Sequence, residues 1–105
     1  MKHHRPDNPT QAAAAEEALY SAILTLTTAA EAESFFHDLC TPAERQALAD
    51  RWAVVALLRE KHSYREIHRR TGVSLTTIGR VARFVMTGHG GYALAAVRTG
   101  DSARG

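Results

Sequence analysis

The side chains best suited to chemistry gather in residues 63–85, SYREIHRRTGVSLTTIGRVARFV, where guanidinium groups and short hydroxyls recur at helical spacing. Arg80 and Arg83 offer donors that match base edges and phosphate oxygens, and Thr76 and Thr77 add short polar groups on the same helix face. That chemistry is duplex recognition. It requires an exposed helix held at a fixed angle, and the local signals predict a pair of them. Ser63 with Glu66 three residues on forms a capping box that starts one helix. Gly72 supplies the positive φ of a sharp turn, and Ser74 caps a second helix whose apolar residues Leu75, Ile78, Val81 and Val85 follow three- and four-residue steps. The pattern reads as a helix-turn-helix. His68 stands after Ile67, where such units commonly keep something small, so either the crossing opens to admit the imidazole or His68 points outward. The competing reading is a helical hairpin that only packs.

The elements that must position this pair read as all-helical, because alternation of apolar and polar residues never persists. A first helix is expected over about residues 10–30, with Leu19, Ile23, Leu26 and Ala30 on one stripe, and a short one over about 31–39 anchored by Phe35, Phe36 and Leu39. Thr41-Pro42-Ala43-Glu44 then combines a capping Thr, a Pro at the first helical position and a Glu three after the cap, opening a long helix to about Lys61. On that helix Leu48, Trp52, Val55 and Leu58 form a stripe that Ala47, Val54 and Leu57 widen beyond what a small reading head would cover, which argues for a homodimer. After the Gly-rich break at residues 87–91 a last short helix is expected over 92–98. Residues 1–9 and 99–105 read as flexible tails flanking a single helical domain over 10–98.

Charge supports the same assignment. The net charge is only +2 over 105 residues, but its distribution is uneven. Before position 51 acids dominate, whereas residues 51–83 carry Arg51, Arg59, Lys61, Arg65, Arg69, Arg70, Arg80 and Arg83 against Glu60 and Glu66 alone.

The stretch LCTPAERQALADRWAVVALLREKHSYREIHRRTGVSLTTIGRVARF, residues 39–84, resembles the tryptophan repressor family, whose members share a T-P-x-E-R-x-A-L helix start, a long central helix, a short S-x-R-E helix and a recognition helix. The resemblance implies a six-helix intertwined homodimer that binds a palindromic operator on double-stranded DNA as a transcriptional regulator. It also implies an aromatic corepressor such as L-tryptophan, sandwiched between Arg51 on the central helix and Arg80 on the recognition helix, with the Thr41 backbone helping to hold its amino group. In such a mechanism the ligand wedges the two helices apart, so that the heads of the dimer match major grooves about 34 Å apart. This chain departs from the family at the pocket, with Val81 in place of a Gly, Phe84 in place of a Ser, and Asp38 and Cys40 in place of two leucines. Whether tryptophan, another small ligand or none binds there therefore stays open. Among the family's DNA-contacting positions Arg65 and Thr77 keep the residue type, whereas Tyr64, His68, Leu75, Thr76 and Gly79 do not, which implies a changed operator. Arg69, Arg70 and Arg83 suit phosphate contacts.

Other classes fare poorly. Six histidines and one cysteine give no metal-ligand spacing beyond His37 and Cys40, and no nucleophile elbow, Gly-rich phosphate loop or carboxylate pair suggests an enzyme, a metal or a covalent cofactor. The lone Cys40 and the absence of a long apolar run point to a cytoplasmic protein with no membrane partner. The second class that stays open is a ligand-independent helical module that binds other proteins or the transcription machinery.

Overall fold

In the computed structural model, which describes residues 9–104 and side chains through residue 100, six helices follow in order: α1 (Pro9–Ile23), α2 (Ala29–Leu39), α3 (Pro42–Arg59), α4 (Tyr64–Thr71), α5 (Leu75–Thr87) and α6 (Gly91–Arg104). They divide into two compact units, Met1–Thr41 and Pro42–Gly105. Among the described residues there is no strand, as the all-α reading expects.

In the first unit α1 ends at Ile23, seven residues short of the expected boundary, and Leu26 lies in the connection instead of on a helical stripe. The cause is local. Residues 24–28, Leu-Thr-Leu-Thr-Thr, are rich in β-branched side chains whose hydroxyls compete for backbone groups. Thr25 donates to Ala22 O at 2.6 Å, and Thr28 caps α2 by accepting from Glu31 N at 3.1 Å. The Glu31 carboxylate accepts from Thr27 N at 2.8 Å, and these hydrogen bonds hold it below the ordinary carboxylate range. Neither α1 nor α2 buries a residue fully, and Tyr20, Leu24 and Leu39 stay exposed. Residues 1–8 of the expected tail lie outside the described residues, and Pro9 already belongs to α1.

The second unit owns the core. Val54 and Val55 of α3, Ile67 of α4, Val73 of the turn, and Ile78 and Val81 of α5 are buried together, with Leu57, Leu58, Val85 and Tyr92 packed against them. Helix α3 therefore lies against α4, α5 and α6 at once. It stops at Arg59, two residues early, where Lys61 takes a left-handed conformation (φ 71°) and His62 N and Lys61 N close back on Leu57 O and Leu58 O at 3.1 and 3.0 Å. At the far end α6 continues through Arg104, so residues 99–104, expected as tail, extend a helix.

Trp52 and Leu48, assigned by spacing to the main stripe of α3, are instead 40% and 45% exposed, and the core side of α3 is the Val54–Val55 side. Trp52 meets Tyr92 of α6 with ring centroids 6.4 Å apart. The surplus apolar face inferred from the sequence is present, but it is made of these larger residues.

Ile67 has no exposed surface and sits where α3, α4 and α5 converge. Ile67→Ala is expected to cost about 2–5 kcal/mol in urea unfolding, and Ile67→Val about 1 kcal/mol. A loss below that for the alanine variant would mean the crossing carries little of the fold.

Candidate nucleic-acid interface

The interface is assembled around the turn between α4 and α5. Ser63 caps α4 by accepting from Glu66 N at 3.1 Å, and Gly72 ends it with φ 76° and a 2.8 Å bond from its N–H to His68 O. Only half of the expected capping box forms, because the Glu66 carboxylate is engaged by Arg69, with Nε and a terminal nitrogen at 3.1 and 2.6 Å. That fork holds the Glu66 carboxyl below its usual range. Thr71 then bridges the turn, donating to Ile67 O at 2.7 Å and accepting from Val73 N at 3.0 Å. Ser74 starts α5 by accepting from Thr77 N at 3.1 Å.

His68 resolves the alternative posed by its position. The residue is exposed, the crossing does not open to admit it, and its Nδ1 lies 2.7 Å from Val73 O. A carbonyl can only accept, so Nδ1 carries the proton, and in the neutral ring Nε2 is left as an acceptor. The imidazole thus clasps the turn from outside.

On α5 the buried face is Ile78, Val81 and Ala82, and the outer face carries Thr76 and Arg83, with Thr77 and Gly79 half-buried at its edges. Leu75, expected on the apolar stripe, is 54% exposed at the start of α5, which suits its other expected place among the DNA-contacting positions. Tyr64 and Arg65 are exposed at the start of α4. Arg69 is tied to Glu66 and Arg70 meets His62 Nε2 at 3.1 Å, whereas Arg65 and Arg83 carry no ion pair among the described residues.

Three of the expected ligand residues come together. Arg51, Arg80 and Phe84 line one open cleft of about 420 Å³. Val81, by contrast, is sealed in the core at 1% exposure and does not line that cleft. Thr41 belongs to the first unit. Three lining residues escaped the sequence reading: His89, Gly91 and Tyr92, at the start of α6. Their signal was the H-G-G-Y run, which reads as a chain break and gives no hint that it folds beside Arg51 and Arg80. Among residues with described side chains, no cluster of three or more His, Cys, Asp or Glu could hold a metal ion.

Comparison with known proteins gives the family. A family model described as Trp repressor protein matches residues 15–99. The chain belongs to the Trp repressor family. It is 40% identical over 84 residues to the uncharacterized protein YerC of Bacillus subtilis (strain 168), covering 80% of this chain and 81% of the relative. Among solved structures, a TrpR-like protein from Eubacterium eligens ATCC 27750 superposes with a TM-score of 0.79 at 42% identity over 82% of this chain and 89% of that one. A Trp repressor candidate from Staphylococcus aureus gives 0.80 at 37% identity over 83% and 87%. Membership places the protein among DNA-binding regulators, a non-enzymatic class. Among the described residues no helix is long and apolar enough to cross a membrane.

His68→Ala is expected to lower stability by about 1 kcal/mol in urea unfolding through loss of the Val73 bond. Unchanged stability would mean that the imidazole does not hold the turn.

Proposed function

We propose that the protein is a sequence-specific transcriptional repressor that binds a palindromic operator as a homodimer, with α5 in the major groove. The observation that carries this reading is the two-sided build of α5. Ile78, Val81 and Ala82 anchor it in the core while Thr76, Thr77 and Arg83 stand on or beside its outer side, and Arg65 is exposed at the start of α4. Thr76 and Thr77 can read base edges, Arg65 can fork to a guanine, and Arg83 supplies phosphate affinity without sequence information. His68 Nε2, an acceptor in the neutral ring, fits a cytosine or adenine amino group.

The dimer is supported by apolar surface that the chain does not cover. In the second unit Leu48, Trp52, Leu94 and Val97 are 40–52% exposed, and in the first unit two helices bury no residue fully. A two-fold partner would cover these faces and set two reading helices against successive grooves.

Affinity selection from random duplexes tests the reading. The enriched sequence is expected to have two-fold symmetry, with half-site centres about 34 Å apart or a multiple of it, and binding should fall steeply with salt. Arg65→Ala should weaken the enriched duplex by about 1–3 kcal/mol and random duplex by less. Equal weak binding to every duplex would overturn the proposal and favour a protein-interaction module.

Sedimentation tests the assembly. The native chain is expected to run as a dimer and Trp52→Glu as a folded monomer, because a carboxylate cannot be buried at an apolar interface without a partner. A native monomer at micromolar concentration would remove the two-fold operator.

A further inference from the structure

The cleft lined by Arg51, Arg80, Phe84, His89, Gly91 and Tyr92 contains no acidic side chain. Two guanidinium groups therefore share a recess with no counter-charge in its lining, and an anion between them would relieve their repulsion. Arg51 gives a sharper indication. Its Nε is shielded from solvent and has no hydrogen-bond partner among the described residues, a state that is costly for a donor until an acceptor meets it.

The start of α6 adds further donors. Gly90 turns the chain with φ 87°, and the first helical bond runs from Leu94 N to Gly90 O at 3.0 Å, so the N–H groups of Gly91 and Tyr92 precede the ladder. A Cβ at Gly91 would meet nothing within 4 Å, which leaves the backbone open to close approach. The positive end of the helix dipole and the His89 ring lie on the same recess.

An aromatic ligand fits this lining less well. The Arg80 guanidinium already lies over the Phe84 ring, with Cζ 5.2 Å from its centroid, so one face of that guanidinium is taken by the chain's own aromatic. We propose that this cleft binds a small free anion of the phosphate class, held by Arg51, Arg80, His89 and the first N–H groups of α6, in place of an aromatic amino acid. At about 420 Å³ the open cleft has room for a compact free oxyanion. Since α3, α5 and α6 all contribute to the cleft, its occupant would bias the tilt of α5. The inference names the effector class of the regulator proposed above and depends on that reading only for the effect on operator affinity.

The full chain is titrated at constant ionic strength with inorganic phosphate and, separately, with L-tryptophan, following the melting temperature. Arg51→Gln tests the cleft, and Arg83→Gln on the outer face of α5 controls for general charge. Phosphate is expected to stabilise the native chain and Arg83→Gln with the same midpoint, with Arg51→Gln shifted about tenfold weaker, the loss of a charge-assisted hydrogen bond. Tryptophan should leave the transition unchanged. No shift with phosphate, equal weakening in both variants, or a larger shift with tryptophan would overturn the proposal. Should Arg51→Gln lose its helical circular dichroism, Arg51→Lys keeps the charge without the Nε donor and is judged by the same midpoints. Binding of phosphate by a chain that binds no duplex would sink the repressor reading alone, and operator binding without a phosphate response would sink this inference alone. Loss of duplex affinity in Arg51→Gln, in phosphate-free buffer and with no phosphate response, would assign the cleft to the DNA backbone and overturn the free-anion proposal.

Discussion

Six buried side chains, Val54, Val55, Ile67, Val73, Ile78 and Val81, hold α3, α4 and α5 in one crossing, and almost everything the protein can do depends on that small contact. A reading helix needs two things that conflict. It must leave one face bare for a ligand, and it must be held rigidly enough that the face meets a groove in register. A core of this size can supply rigidity only because its members are branched aliphatics with few rotamers, drawn from three helices and the turn between two of them. Its smallness has a second consequence. Trp52, Leu48, Leu94 and Val97 remain on the surface, so the same economy that frees α5 leaves apolar area for another chain to cover.

The turn adds what burial alone cannot. Gly72 sets its direction with a left-handed backbone, Thr71 satisfies Ile67 O and Val73 N, and His68 closes over Val73 O from outside. These bonds are individually modest, but they fix the angle between α4 and α5 without spending core volume. They also decide what His68 can offer a duplex, because a proton committed to Val73 O on one ring nitrogen leaves the other free to accept in the neutral imidazole.

Much of this was legible in the sequence because its signals are short-range. The Ser63, Gly72 and Ser74 punctuation places both ends of α4 and the start of α5, since capping and positive φ are local demands. The T-P-x-E-R-x-A-L start and the S-x-R-E helix carry the family resemblance, which the matched model over residues 15–99 confirms. What was missed depends on competition or on long-range placement. The end of α1 was misplaced because a stripe at Leu26 and Ala30 was weighed above the hydroxyl-rich run that breaks the helix and the Thr28 cap that restarts it. The capping box at Ser63 formed only in part because Arg69, one turn further on, competes for the Glu66 carboxylate. Trp52 was assigned to the packed stripe because spacing reports a face without saying which neighbour covers it.

The cleft shows the same boundary at the level of function. Arg51 and Arg80 were paired by resemblance, and the fold brings them to one recess. Resemblance says nothing, however, about residues that line the recess only in three dimensions. His89, Gly91 and Tyr92 arrive there because Gly90 reverses the chain at the start of α6, and Phe84 turns its ring under the guanidinium of Arg80. The lining thus combines two cations with two aromatic rings, one of them, Phe84, against Arg80. Two arginines alone do not set what such a recess selects, because selectivity lies also in the groups that face them. Val81 bears on this from behind. Its bulk is taken up by the core with Val54 and Val55, so it does not line the cleft.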